Sequence, residues 1–146
     1  MTNRRLPTIV AMINELVRKL TTIPGFIFIL DAFGALVSMA FLLCFSGFLH
    51  TYIGLPVDVL HTLATIAGGL FGFSMMCYIY VSSAYHVFIR GLAIGNLLYC
   101  GITLWCIIQN YSSMTYLGLA YFGLELLVLC CLVSIEIYVA KKFQNT

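Results

Sequence analysis

Four long apolar runs dominate this chain of 146 residues, at positions 26–49, 57–80, 88–108 and 115–140. The hydrocarbon core of a bilayer is about 30 Å thick, so a helix needs roughly 20 consecutive apolar residues to cross it. Each run meets that length. Charged residues make up only 8% of the chain, whereas a soluble domain carries about 25%. The sequence therefore predicts an all-α, polytopic membrane protein with four transmembrane helices in a bundle.

An amphipathic segment precedes the first run. Over residues 8–21, apolar side chains recur at helical spacing and polar side chains line the opposite face. Pro24 and Gly25 then separate this segment from the first run. We expect residues 1–22 to form a cytoplasmic amphipathic helix on the inner membrane surface, the alternative being a helix packed on the cytoplasmic loops. Residues 23–146 then form the transmembrane domain.

All seven Lys and Arg residues lie on one side of the predicted membrane. Four precede the first run, one lies between the second and third runs, and two follow the fourth, whereas the turns at 50–56 and 109–114 carry none. Because cytoplasmic loops are enriched in Lys and Arg, we expect both termini in the cytoplasm and a multi-pass location in the cell (inner) membrane. The cations are Arg4, Arg5, Arg18, Lys19, Arg90, Lys141 and Lys142.

Small residues recur along the predicted spans. Transmembrane helices associate through close packing at such residues, because lipid removes the hydrophobic driving force between helices. We expect helix packing at Gly34, Ala64, Gly68, Gly72, Gly91, Gly95 and Gly118. The sequence leaves open whether these contacts close one bundle or also join two copies. The small interior of a four-helix bundle favours a homo-oligomer or another membrane protein as a partner, besides the lipid bilayer itself.

Two acidic residues lie deep inside predicted spans. At about 1.5 Å per residue, Asp31 lies roughly 8 Å from the inner end of the first span, and Glu125 roughly 15 Å from the outer end of the fourth. An ionised side chain there costs at least about 2.5–3.5 kcal/mol, so each acid needs a hydrogen bond, a counter-ion or a proton. For Glu136, five residues before Lys141, we expect an ion pair at the membrane interface.

Depth along the helices selects partners for these acids. Asn96 lies at nearly the depth of Asp31, and Tyr99 lies near the depth of Glu125. We expect one polar cluster with a cationic side chain at its inner rim, made of Asp31, Asn96, Tyr99, Tyr121, Glu125 and Arg90. Such a cluster fits two functions: a proton or cation site, or interhelical hydrogen bonds that hold the bundle together.

The sequence carries no pattern typical of an enzyme. None of the six cysteines forms a C-x-x-C pair or a zinc-type cluster, and no metalloprotease or phosphate-loop motif is present. The net charge of +2 is small, and the cations lie at segment ends, unlike the basic patch of a nucleic-acid-binding protein. We expect no enzymatic activity, no cofactor, no metal site and no nucleic-acid partner.

Several short motifs are spread over residues 23–140. They are IPGFIF at 23–28, LDAFGAL at 30–36, GLP at 54–56, NLLYC at 96–100 and TYLG at 115–118, with Tyr121, Phe122 and Glu125. Together they resemble an uncharacterised family of small four-span bacterial inner-membrane proteins. The resemblance implies the fold and the bacterial inner membrane, and it implies no activity.

Two functions follow from these observations. The leading prediction is a non-enzymatic structural or assembly component of the membrane, because intramembrane polar residues often serve as interhelical hydrogen bonds. The alternative is a small proton- or cation-coupled transporter that uses Glu125 and Asp31.

Overall fold

The computed structural model describes residues 25–144 and the single positions Ala11, Glu15 and Ile23. The rest of the predicted amphipathic helix over residues 8–21 lies outside the described residues, so that helix stays a prediction. Within residues 25–144, the regular elements are all helices and no β-strand occurs. The prediction of an all-α polytopic protein is confirmed.

Four helices are long and apolar enough to cross a membrane. Helix α1 (Gly25–Cys44) continues through a π-helical turn (Phe45–Leu49) into the short helix α2 (His50–Ile53). The other three long helices are α3 (Val57–Tyr80), α4 (Tyr85–Gln109) and α5 (Tyr116–Gln144). Only 22% to 33% of the most apolar part of each long helix is buried inside the protein. Most of the apolar surface therefore needs an apolar solvent, which a lipid bilayer provides.

Helix α4 begins at Tyr85, three residues before the predicted start of the third span. The connection between the second and third spans is therefore shorter than the predicted runs imply, and it ends at Ala84, whose φ of 56° turns the chain into the helix. His86 and Arg90 lie in the first turns of α4. Long polar side chains at the end of a spanning helix can reach the lipid headgroups, so these residues do not interrupt the helix.

The four spanning helices form two hairpins that lie side by side. Helix α1 packs along α3, helix α4 packs along α5, and contact between α3 and α4 joins the two hairpins. Helices α1 and α5 touch at only a few positions. We call the end of the bundle that carries Arg90, Lys141 and Lys142 the basic end, and the end formed by α2 and the turn before α5 the opposite end.

Two apolar clusters fill the interior at different depths. One, near the basic end, includes Phe28, Leu92 and Val139, and the other, nearer the opposite end, includes Leu63 and Phe122. Each spanning helix places one buried polar residue between the two clusters. These residues are Asp31, Ser74, Asn96 and Glu136.

At the opposite end, the segment after α2 packs closely on the start of α5. Gly54 has φ +79°, and a Cβ there would overlap the carbonyl oxygen of Ser113, so only glycine fits without strain. A Cβ at Gly118 would overlap the carbonyl oxygen of Ile53. The backbone N–H of Thr115 donates to that same Ile53 oxygen at 3.2 Å. The Thr115 hydroxyl accepts from the N–H of Gly118 at 3.1 Å, which caps the first turn of α5.

Three further predicted packing residues lie at close helix contacts. A Cβ at Gly95 would lie 2.9 Å from Cδ2 of Leu70, and one at Gly68 would lie 3.1 Å from the sulfur of Met39. Ala64 is buried in the apolar cluster of the opposite end. These positions allow α3 to approach both of its neighbours, because a larger side chain would push the helices apart.

The remaining predicted packing residues differ. A Cβ at Gly91 would make only an ordinary contact, 3.9 Å from Phe73. At Gly34 and Gly72 a Cβ would contact no other helix within 4 Å, so among the described residues neither position is a helix contact. Both predictions relied on spacing along the helix, which does not say which face meets a neighbour.

Candidate functional site: two groups of buried carboxyl side chains

Four polar side chains, one from each spanning helix, meet between the two apolar clusters. We call them the inner group: Asp31 of α1, Ser74 of α3, Asn96 of α4 and Glu136 of α5, each at most 1% exposed. The Asn96 side-chain nitrogen Nδ2 donates to Oδ1 of Asp31 at 2.6 Å and to Oε1 of Glu136 at 3.0 Å. The Ser74 hydroxyl lies within hydrogen-bonding distance of Oδ2 of Asp31 and of the Leu70 carbonyl oxygen.

Helix geometry explains why these residues share one depth. Asp31 follows the start of α1 by six residues, and Glu136 precedes Lys142 by six residues. Each position is therefore about 9 Å from the basic end of its helix. The carboxyl groups of Asp31 and Glu136 also interact with each other. Asn96 thus joins two acids that belong to different hairpins.

A second group lies nearer the opposite end. Its centre is Glu125 of α5, which is 8% exposed. The hydroxyl of the buried Tyr99 donates to Oε1 of Glu125 at 3.1 Å, while Oε2 of Glu125 has no well-formed hydrogen bond within the described part of the chain. The Ser38 hydroxyl of α1 also interacts with this carboxyl group, and Tyr121 of α5 lies beside it. We call Ser38, Tyr99, Tyr121 and Glu125 the outer group.

The ring of Tyr121 is held by aromatic neighbours. It meets Phe45 edge-on with ring centroids 4.8 Å apart, and it meets Phe122 at 5.0 Å. Its third neighbour is Phe41 of α1, at 6.1 Å. Edge-to-face pairs of this kind contribute about 0.5–1.5 kcal/mol each beyond area burial, so Tyr121 has a fixed position beside Glu125.

The structure places the six residues of the predicted cluster in three places rather than one. Asp31 and Asn96 belong to the inner group, whereas Tyr99, Tyr121 and Glu125 belong to the outer group. Arg90 belongs to neither: its side chain is exposed and donates to Oε1 of Gln144. The expectation that Arg90 reaches Asp31 is therefore wrong. Six residues along a helix correspond to about 120° between side chains, so Arg90 points away from the interior that Asn96 faces.

Glu136 is the second correction. It is fully buried in the inner group, whereas Lys141 is exposed, so the predicted interface ion pair does not form. Five residues along a helix separate two side chains by about 140°, and only spacings of three or four bring them together. Counting residues back from Lys142 would have placed Glu136 at the depth of Asp31, and the same count back from Tyr80 would have found Ser74.

Basic side chains do not neutralise the buried acids. Arg90, Lys141 and Lys142, the Lys and Arg residues within positions 25–144, are all exposed. The groups that act on Asp31, Glu125 and Glu136 are hydroxyl, amide and carboxyl groups. In this part of the chain, the three acids therefore depend on hydrogen bonds, on protons or on a cation supplied from outside.

A groove runs between α1 and α5, where these two helices barely touch. Its volume is about 480 Å³. Its walls are mostly apolar, and among the described lining residues only Glu125 has an ionisable carboxyl group. The lining residues nearest this carboxyl group include Gly34, Ser38, Phe41, Tyr121 and Val128. The groove brings the carboxyl group of the outer group close to the lipid-facing surface.

The described residues contain no group of three or more His, Cys, Asp or Glu side chains that could hold a metal ion. The arrangement can accept and release protons, or bind an organic cation, at carboxyl groups on two levels. Comparison with protein-family models, with curated proteins and with solved structures finds no match to this chain.

Proposed function

We propose that this chain is a small proton-coupled transporter of the bacterial inner membrane, without enzymatic activity and with both termini in the cytoplasm. The observation that carries the proposal is incomplete hydrogen bonding at buried acids. Among the described residues, Oε2 of Glu125 and Oε2 of Glu136 are buried without a well-formed hydrogen bond, although Ser38 interacts with the first carboxyl group and Asp31 with the second. A buried polar atom without a hydrogen bond lowers the stability of the fold by about 1–3 kcal/mol. Buried polar groups with a purely structural role therefore normally have a hydrogen bond to each polar atom. Free carboxyl oxygens instead suit groups that take up and release protons.

The number of hydrogen-bond donors in the inner group supports the proposal. The Asn96 amide supplies two hydrogens and the Ser74 hydroxyl supplies one. The Ser74 hydroxyl donates to Oδ2 of Asp31 and also lies near the Leu70 carbonyl oxygen. Two neighbouring carboxylates in a medium of low dielectric cannot both stay ionised. A proton shared between Asp31 and Glu136 would relieve this repulsion, which suits a group that takes up and releases protons.

The two groups also lie at different depths, as a carrier that moves protons across a membrane requires. Eleven residues of α5, or about 16 Å, separate Glu125 from Glu136. Helix α4 links the two levels, because Tyr99 follows Asn96 by one turn. Intramembrane acids are costly, and they mark ion or proton pathways in many membrane proteins.

The bacterial inner membrane and the orientation have separate support. The Lys and Arg residues of positions 25–144 all lie at the basic end, and this distribution is typical of a cytoplasmic side. The sequence motifs at residues 23–140 resemble a family of small bacterial inner-membrane proteins, which agrees with that location.

A structural or assembly component is the second candidate. The observation in its favour is the open space at Gly34 and Gly72, where a Cβ would contact no other helix of the described residues. Small residues exposed to lipid allow another helix to approach closely. On this candidate, the acids would hold the four helices together, and their loss would weaken assembly rather than proton movement.

Proton flux into sealed proteoliposomes distinguishes the two functions. The purified protein is reconstituted with an internal pH-sensitive dye, and an imposed pH gradient drives flux through wild type, Asp31→Asn, Glu136→Gln and Glu125→Gln. Each substitution keeps the shape of the side chain and removes the ability to ionise. Asp58→Asn is the matched control, because Asp58 is an exposed acid in the first turn of α3.

For a transporter, we expect the proton flux of wild type and of Asp58→Asn to exceed that of empty liposomes. Each buried-acid variant should lose most of this flux while it keeps its helical content and oligomeric state. Wild-type flux equal to that of empty liposomes would overturn the proposal. So would unchanged flux in all three buried-acid variants. Loss of assembly in these variants, with no flux in wild type, would support the structural candidate.

A further inference from the structure

The groove between α1 and α5 has the dimensions of a ligand site. Its volume of about 480 Å³ lies within the roughly 300–1,000 Å³ of typical small-molecule pockets. Phe33, Leu124 and Val128 line it and are exposed at the protein surface. A molecule dissolved in the hydrocarbon of the membrane can therefore enter from the side.

The aromatic pair Phe41–Tyr121 bridges the groove between its two walls. The two rings are 6.1 Å apart, one on α1 and one on α5. Aromatic faces attract cations, an interaction that contributes more when water is excluded. This end of the groove therefore favours a positively charged group near Tyr121.

The position of Glu125 gives the groove its charge preference. The Tyr99 hydroxyl donates to Oε1 of this carboxyl group, and the Ser38 hydroxyl also interacts with the group. The described residues that line the groove include no Lys, Arg or His. A carboxylate in an apolar site needs a counter-charge or a proton, so a ligand that brings its own positive charge complements this site.

We propose that the groove between α1 and α5 binds a lipophilic cation, an organic ammonium or phosphonium ion with apolar substituents, whose charge lies beside the carboxyl group of Glu125. This inference rests on the proposed function and names the class of substrate. A lipid acyl chain would fill the apolar walls but would bring no positive charge to Glu125.

Proton and ligand then compete for one carboxyl group. The groups that face Glu125 are the Tyr99 phenol and the Cys100 thiol of α4, the Tyr121 phenol of α5 and the Ser38 hydroxyl of α1. All of them are uncharged when protonated. The ionisation of Glu125 therefore decides the binding of the cation, and each cation bound to the protonated form releases one proton.

The test compares two probes of matched size and opposite charge, tetraphenylphosphonium and tetraphenylborate. Binding of each radiolabelled ion is measured by equilibrium dialysis with wild-type protein in phosphatidylcholine nanodiscs. Empty nanodiscs of the same lipid correct for partition into the bilayer. Glu125→Gln removes the charge. Gly34→Leu fills the groove where a Cβ meets no atom, and Gly101→Leu is its control at an equally open position on α4.

We expect saturable binding of the phosphonium at least tenfold tighter than that of the borate. Affinity should fall at least tenfold in Glu125→Gln and in Gly34→Leu and stay unchanged in Gly101→Leu. It should rise with pH in wild type and in Gly101→Leu but not in Glu125→Gln. Equal binding of both probes would show an apolar groove without charge selection and would overturn the inference. Retained affinity in Glu125→Gln, or no saturable binding in wild type, would also overturn it.

Proton flux in the same preparations keeps this result separate from the proposed function. If flux depends on the buried acids but wild type does not bind the phosphonium, the lipophilic-cation inference is wrong and the transporter proposal stands. If Gly34→Leu changes the oligomeric state and wild type binds neither probe, the groove is an interface between copies, and the inference is again wrong.

Discussion

The amide of Asn96 is the most informative single group to remove, because it connects three of the four spanning helices. Asn96→Ala deletes the donors to Oδ1 of Asp31 and to Oε1 of Glu136. Hydrogen bonds between membrane helices contribute about 0.6 kcal/mol on average and about 1.7 kcal/mol at most. Two such bonds give a loss of about 1–3 kcal/mol in the free energy of unfolding.

This loss can be measured by unfolding the purified protein in mixed detergent micelles with increasing sodium dodecyl sulfate, followed by far-ultraviolet circular dichroism. Gln109→Ala is the matched control, because it removes an exposed amide from the same helix and should leave the free energy of unfolding unchanged. A double-mutant cycle of Asn96→Ala with Asp31→Ala isolates the bond between these two side chains.

The outcome that refutes the reasoning is specific. If Asn96→Ala destabilises the protein no more than Gln109→Ala does, the buried amide contributes nothing and the inner group does not hold the two hairpins together. A coupling energy near zero in the double-mutant cycle would show that any loss comes from packing alone.

Three further predictions concern the opposite end and the orientation. Gly118→Ala should lower the free energy of unfolding in detergent by about 1–3 kcal/mol, because the added Cβ overlaps the Ile53 carbonyl oxygen. Gly123→Ala, whose added Cβ meets no other helix within 4 Å among the described residues, should leave it unchanged, and equal effects would contradict the packing described. Thr115→Val should cost about 1 kcal/mol in the same assay, because it removes the cap of α5, and an unchanged midpoint would contradict that role. With the C-terminus in the cytoplasm, a fluorescent-protein fusion after the last residue should fluoresce in bacterial cells. A peptide tag inserted at 110–114 should lie on the outer side and be accessible to antibody in intact spheroplasts. The reverse pattern would contradict the orientation.

The sequence predicted depth well, because depth depends only on counting residues from the end of an apolar run. It placed Asn96 at the level of Asp31 and Tyr99 at that of Glu125, and the structure joins each pair by a hydrogen bond. The length of each run likewise predicted the four spans, because hydrocarbon thickness sets a minimum that the composition either meets or fails.

The direction in which a side chain points from its helix axis could not be predicted by counting residues. Arg90 has the right depth to meet Asp31 but faces outward, and Glu136 has a Lys five residues away but faces inward. The facing direction depends on which helices are neighbours, and one sequence does not specify that arrangement. The open surface at Gly34 was missed for the same reason, since small residues predict a contact only when a neighbour is present.

The unequal contacts among the four helices have a mechanical consequence. Each hairpin has extensive internal contacts, whereas the two hairpins meet along α3 and α4, at the α2–α5 packing of the opposite end and at a few positions of α1 and α5. A rotation that separated α1 from α5 would have to break the hydrogen bond between Asp31 and Asn96, while the contacts within each hairpin could remain. The Asn96 amide would then act as a latch near the basic end, and its opening would uncover acids that the closed bundle keeps from water.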